Sequence, residues 1–223
     1  MPCCDHCEET GELFDRTKAK TELRKYRKSE PPNKSTRLLI NALKTLDLQD
    51  KTLLDVGGGV GMIPHELLDA GVAQSTLVEA SSAYLEVAEN ESQRRGHADR
   101  TAFKHGDFVE LAPNLPDADL VTLDRVICCY PHLDRLVQAS TDKATRWYGV
   151  TYPKEAWYNK MLKGLTDIYC WIRDMDFRMY IHSKVEETIR SAGFTPFYQV
   201  NTILWRVSLY ERDEGRTNEA RSK

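Results

Sequence analysis

No stretch of this chain is apolar for long enough to cross a bilayer, which takes about 20 consecutive residues. Its opening, MPCCDHCEET, is polar and acidic where a secretory signal would be basic and then apolar. An excess of positive charge is missing too. Against 34 Asp and Glu stand 31 Lys and Arg, which leaves the chain at −3. No global basic field therefore draws it to nucleic acid, and no basic patch is interleaved with aromatics beyond Tyr26. The cysteines (Cys3, Cys4, Cys7, Cys128, Cys129 and Cys170) fall in adjacent pairs with uneven spacing, unlike a secreted disulfide framework. No internal repeat is present. These absences predict a cytoplasmic protein with free thiols, no stable membrane insertion and no nucleic-acid partner.

What is present suits one domain with a real core: 223 residues, of which 41% are hydrophobic and 29% charged. Residues 8–28 are charge-rich with a sparse apolar set, Leu13, Phe14, Leu23 and Tyr26, as expected of a helix lying over something. The prolines of SEPPNKS stop it, and a second helix follows at 36–46. Strand and helix signals then alternate: strands at 52–58, 75–80, 101–106, 118–126 and 146–153, helices at 60–70, 82–95, near 132–141 and at 184–192. Ser81 or Ser82 caps the helix of the second of these strand–helix units, and Gly193 ends the last helix. TPFYQVNTILWRVSLYER reads as an antiparallel hairpin. The expected class is α/β: a doubly wound, mostly parallel seven-stranded sheet, a C-terminal antiparallel hairpin, and helices on both faces. Residues 1–34 form a cysteine segment and covering helix, 35–212 the main domain with an aromatic insertion at 154–182, and 213–223 a mobile tail.

In LLDVGGGVGMIPHELLDAG (53–71) four glycines crowd into five residues at the end of a buried strand. Each glycine in regular structure costs about 0.5–1 kcal/mol relative to alanine, so the cluster needs a reason. Gly57, Gly59 and Gly61 allow a sharp strand-to-helix turn, let a ligand touch backbone, and sit where a helix offers unpaired N–H groups. Twenty residues after Gly59, Glu79 ends the next strand, where a carboxylate accepts hydrogen bonds from ribose hydroxyls. Asp107 ends the third strand, placed to read an adenine amino group, with Phe108 to stack. The dinucleotide pattern G-x-G-x-x-G fails at Met62, and the G-K-[ST] of a phosphate loop is absent. Asp55 beside the turn repels pyrophosphate and suits a cationic ligand, an ammonium or a sulfonium.

LLDVGGGVG, LVEAS, HGDF and DLVTLDRV, in that order and spacing, resemble the motifs of the Rossmann-like, S-adenosylmethionine-dependent methyltransferases over about 50–212. The resemblance implies S-adenosylmethionine as cofactor and S-adenosylhomocysteine as product. It implies a cofactor site of Asp55, Gly57, Gly58, Gly59, Gly61, Glu79, Ala80, Asp107, Phe108, Asp124 and Arg125. Asp55, Gly57 and Gly59 would lie along the methionine part, Glu79 on the ribose, Asp107 and Phe108 on the adenine, and Asp124 and Arg125 would begin the loop facing the methyl group. DRVICCYPHLDRLVQAS and the N-terminal LFDRTKAKTELRKYRKSEPPNKSTRLL are similar to magnesium-protoporphyrin O-methyltransferase-like proteins, with one departure. That group tends to carry a histidine before the Tyr-Pro, and Cys129 stands there.

The expected reaction is methyl transfer to an oxygen, sulfur or nitrogen nucleophile of a small molecule, by a monomer or homodimer. Tyr130, His132 and Tyr26 are the candidate catalytic or substrate residues. Competing readings are a nicotinamide-dependent oxidoreductase on a similar sheet and a cofactor-binding regulatory protein without turnover. Of Cys128 and Cys129, one is expected in the core and the other on the substrate cavity. Cys3, Cys4, His6 and Cys7 would struggle to close a tetrahedron from so short a stretch and have no second C-x-x-C, so no metal site is assigned, and metal binding, disorder and thiol reactivity all remain open for them. Segment 157–182 is a core helix, a lid or an interface.

Overall fold

The computed structural model describes residues 15–28, 31–156, 164 and 180–213. The N-terminal thiols, Cys170, most of the aromatic segment 157–182 and the tail beyond Asp213 lie outside the described residues.

Among the described residues, helices α1 (Arg16–Lys28) and α2 (Lys34–Leu43) come first, followed by β1 (Thr52–Val56), α3 (Met62–Leu68), β2 (Gln74–Glu79), α4 (Ser82–Arg95), β3 (Thr101–His105) and α5 (Phe108–Leu111). After these come β4 (Ala118–Asp124), α6 (Leu133–Lys143), β5 (Ala144–Pro153), α7 (Val185–Ser191), β6 (Phe194–Asn201) and β7 (Trp205–Arg212). The seven strands form one sheet in the order β3-β2-β1-β4-β5-β7-β6. Pairs among β1 to β5 are parallel, and β7 lies antiparallel between β5 and β6. β1 occupies the switch point, where the chain order runs outward in both directions and ligands collect beyond the carboxyl ends of strands.

The strand sequences explain the two-sided cover. β1 and β4 are buried almost throughout, as strands covered on both faces are. Alternation splits their side chains between two cores. Leu53 and Leu120 join Leu39, Leu43, Ile63 and Leu67 on one face, and Leu54 and Val121 join Leu136, Val137 and Ile189 on the other. A third cluster is made by α1. Its Ala19, Leu23 and Tyr26, one helical stripe, pack on Val60, Met62, Tyr84 and Val87. α1 thus lies across the glycine turn and α4.

An ion cluster fastens that contact. Glu91 on α4 is fully buried and accepts from Arg27 Nε at 3.0 Å, Arg94 Nε at 2.8 Å and Arg95 Nε at 3.0 Å. Burial alone would raise its carboxyl, but hydrogen bonds from Arg94, Arg27 and Arg95 outweigh it and hold the group far below the usual carboxylate range.

Most expected elements fall where periodicity puts them, and α4 spans 82–95 as read. Ser81 is its cap, with the side chain accepting from Tyr84 N at 3.3 Å. The first strand stops at Val56 rather than residue 58, because Gly57 takes φ +64° and leaves the extended region. Short helical turns at Phe108–Leu111, Ala112–Asn114 and Ile127–Cys129 were not expected from the pattern. They are too short to show a period.

Candidate functional site

Beyond the carboxyl ends of β1 to β4 lies a cleft of about 660 Å³, within the usual range for a small-molecule site. Its floor is the glycine turn. Gly57, Gly59 and Gly61 have φ of +64°, +58° and +80°, a region that costs an L side chain roughly 1–2 kcal/mol. Close packing adds to the demand: a Cβ on Gly57 would lie 2.5 Å from Val126 Cγ2, and one on Gly58 2.6 Å from Leu77 Cγ and 2.7 Å from Asp55 Oδ2.

One wall belongs to β2 and β3. The Glu79 carboxylate accepts from Gly59 N and from Ser81 N, both at 2.9 Å, and so ties the turn to the strand beside it. Burial raises its carboxyl, with the backbone N–H groups of Ser81 and Gly59 opposing. Asp107 caps α5 by accepting from Val109 N at 2.8 Å, and its other oxygen accepts from Tyr130 OH at 3.1 Å. The Phe108 ring enters the core beneath the cleft.

The opposite wall is the end of β4. Asp124 Oδ2 accepts from Thr36 Oγ1 at 2.6 Å, while Asp124 Oδ1 is buried with no hydrogen-bond partner among the described residues. Arg125 follows at φ +63°, a strained non-glycine conformation of the kind that collects at functional sites. Its backbone N–H is held by Thr151 O at 3.0 Å. With the Asn33 amide oxygen turned toward the guanidinium, it accepts from Arg125 at 2.9 and 3.2 Å. The roof is α1, through Thr17, Lys18, Thr21, Glu22 and Lys25. Glu22 accepts from Tyr84 OH at 3.2 Å and stands 3.8 Å from Arg125.

The cleft therefore brings together Gly57, Gly59, Glu79, Ala80, Asp107, Phe108, Asp124, Arg125 and Tyr130 from the sequence reading. Asp55, Gly58 and Gly61 lie outside its lining. Asp55 is buried under the turn, where its Oδ1 accepts from Thr122 Oγ1 at 2.6 Å and its Oδ2 has no partner among the described residues. Burial, with Asp124 and Glu79 adding to it against the Thr122 bond, pushes its carboxyl up to about 8.

Two candidate catalytic residues stand apart from the cleft. Tyr26 does not line the cleft; its ring belongs to the α1 stripe and its hydroxyl donates to Glu66 at 2.8 Å. Burial and that bond push the hydroxyl well above its ordinary value. His132 is exposed at the start of α6, outside the cleft lining. The recruits that the sequence reading missed are Thr36, Asn33, Glu22 and Tyr84. Asn33 carried a legible signal: it is a good capping residue at the start of α2 that makes no side-chain cap bond, because its amide faces Arg125.

Residues 54–142 match the sequence model of the methyltransferase domain family, and no curated protein matches the chain. Among solved structures, the chain is similar to magnesium protoporphyrin IX methyltransferase from Synechocystis with bound S-adenosylhomocysteine. The identity is 15% and the TM-score 0.72, with 94% of this chain and 100% of that one covered. It is also similar to a putative sarcosine dimethylglycine methyltransferase from Galdieria sulphuraria, at 12% identity and TM-score 0.64, with 79% of this chain and 84% of that one covered. A putative RNA methyltransferase from Pyrococcus horikoshii matches at 14% identity and TM-score 0.58, with 84% and 85% covered. At these identities the likeness is one of fold. The glycine turn and the acidic strand end beside it lie within the segment that matches the methyltransferase domain family, on the Rossmann-like fold shared with these methyltransferases.

Proposed function

We propose that the cleft holds S-adenosylmethionine in an orientation set by its walls and delivers the methyl group to a small-molecule nucleophile near Asp124. The observation that carries this is the Glu79 carboxylate bridging Gly59 N and Ser81 N at the cleft edge. Each carboxylate oxygen accepts a backbone N–H and keeps a lone pair, so the pair can accept from the two ribose hydroxyls as these donate. The fit extends to both ends. Gly57 and Gly59 present backbone without side chains, a surface for the methionine part, and Phe108 and Asp107 stand where a purine would lie. The buried, unpartnered Asp124 Oδ1 and the anionic wall suit a sulfonium-bearing ligand.

The cofactor supplies an electrophilic methyl carbon, so the chain needs chiefly to align a nucleophile with it. Glu79 and the glycine turn fix the donor end. Arg125, locked by Thr151 O, Asn33 and Glu22, sets the direction of the chain leaving β4. Asp124 Oδ1 is placed to accept a proton from a neutral acceptor, whereas a carboxylate acceptor would need none. Tyr130 is tied to Asp107 and serves as a wall holding that carboxylate in place. The roof formed by α1 favours an acceptor small enough to enter beneath it, in a monomer or homodimer of cytoplasmic location.

The test is release of S-adenosylhomocysteine on incubation with panels of small carboxylic acids, phenols, thiols and amines, beside RNA and protein. Turnover with a small acceptor, lowered at least tenfold in kcat by Asp124→Asn, is expected. Turnover with RNA or protein alone would overturn the small-molecule reading.

A further inference from the structure

Where β4 ends, the chain carries two thiols in succession on the wall of the cleft. A single helical turn, Ile127–Cys129, follows Arg125 and leaves the sulfurs of Cys128 and Cys129 3.6 Å apart. In an extended strand, neighbouring side chains point to opposite faces; here the turn gathers both onto the same carbonyl. Cys128 Sγ donates to Arg125 O at 3.1 Å, and Cys129 Sγ lies 3.7 Å from the same oxygen. Both residues line the cleft, Cys128 buried and Cys129 half-buried.

We propose that Cys128 and Cys129 form an oxidation-sensitive dithiol, a modification site in the cleft wall that a hydroperoxide converts to a disulfide between adjacent residues. Cys129 is the attacking sulfur. It is the more accessible of the two, and the sulfhydryl of Cys128 together with the Arg125 guanidinium draws its thiol down, while Cys128 is pushed up by its neighbour and by burial. The Cys129 thiolate forms an S–O bond as the O–O bond of the peroxide breaks, and the departing oxygen takes up a proton as water. The sulfur of Cys128 then loses its proton and displaces the hydroxyl of the sulfenic acid, which leaves as a second water when the S–S bond forms. Two thiols lose two electrons, and one hydrogen peroxide becomes two waters.

An S–S bond is about 2.05 Å long, so the sulfurs must approach by about 1.5 Å. Such a movement is transmitted. Cys129 N donates to Val126 O at 2.8 Å and Tyr180 N to Cys128 O at 2.7 Å, so the turn cannot re-form without moving its anchors. Val126 also packs on Gly57, where a Cβ would meet it at 2.5 Å. Oxidation therefore displaces the residue that seats the glycine turn and weakens cofactor binding. This consequence rests on the proposed reading of the cleft; the thiol chemistry does not.

The experiment uses the full chain with Cys3, Cys4, Cys7 and Cys170 replaced by serine, reduced and then treated with hydrogen peroxide. Thiol titration should fall from two to none, with a mass loss of about 2 Da for two hydrogens localised to the peptide containing both residues. S-adenosylhomocysteine should bind at least tenfold more weakly by calorimetry, and dithiothreitol should reverse both changes. Adding Cys128→Ser should leave a sulfenic acid on Cys129 that dimedone traps. Two surviving thiols, conversion to sulfinic acid without a disulfide, or bridges only between molecules would overturn the proposal. Unchanged affinity in the oxidised chain would overturn the link to the glycine turn. Failure of the reduced chain to bind the ligand would count against the reading of the cleft, while the mass measurement would still decide the dithiol.

Discussion

The Glu79 carboxylate holds the Gly59 N–H at 2.9 Å, joining the end of one central strand to the turn that follows its neighbour. That bond is structural and, on the proposed function, shared with the ligand. Glu79→Gln keeps the shape but replaces one acceptor oxygen with a donor, so one backbone N–H loses its partner at about 1–3 kcal/mol. A lower urea midpoint and at least a tenfold loss of S-adenosylmethionine affinity are the expected results. Lost affinity with unchanged stability would place Glu79 on the ligand alone.

Asp55 gives a pH dependence of defined sign. Its folded carboxyl titrates at about 8, against about 3.9 in an unfolded chain. Between those values the folded state keeps a proton that the unfolded state has lost. The stabilisation is full below about pH 4 and is lost as pH rises toward 8. Asp55→Asn should remove that part of the slope in urea unfolding measured from pH 5 to pH 8.5; a variant with the same slope would show that other groups produce it.

The buried Glu91 acts in the opposite sense, since its carboxyl is held down by three guanidiniums. Its contribution is present above about pH 4.5 and fades as pH falls toward its folded value. Glu91→Gln leaves the arginines without a counter-charge and should cost about 3 kcal/mol, the low end for a broken buried pair, because the guanidiniums reach solvent. Proteolysis within α1 should quicken as the helix loses its hold on α4, and an unaltered cleavage rate would contradict this role.

Neighbouring glycines should respond differently to a methyl group. Gly58→Ala sets a Cβ 2.6 Å from Leu77 Cγ and 2.7 Å from Asp55 Oδ2, an overpacking that costs about 1–3 kcal/mol. Gly59→Ala meets nothing closer than 3.9 Å, and its penalty is the positive φ, about 1 kcal/mol. Thermal unfolding should therefore rank Gly58→Ala as the less stable, while the cleft-facing Gly59→Ala loses more affinity for the cofactor. The reverse ranking in stability would mean that the turn yields at Gly58.

Much of this was legible in the sequence because it is local. Period and glycine placement gave the parallel units and the hairpin. The spacing from Gly59 to Glu79 found a pair that the structure joins by a hydrogen bond. What was missed is long-range. Thr36 reaches Asp124 across 88 positions of sequence, and no pattern within one element announces such a partner. Tyr26 lies outside the cleft lining, and its place with Ala19 and Leu23 on one stripe shows only when the stripe has something to pack on. Asp55 was read as lying along the ligand, yet strand alternation puts it on one face of the sheet beside Thr122, its partner in register, which bonds it.

Calorimetric titration of the folded chain with S-adenosylmethionine and S-adenosylhomocysteine, with NADH as control, tests the central claim most directly. Micromolar binding of both adenosyl ligands, abolished by Glu79→Ala, with no heat from NADH, is the predicted result. Binding of NADH alone, or adenosyl binding indifferent to Glu79, would contradict the cofactor site described around the glycine turn.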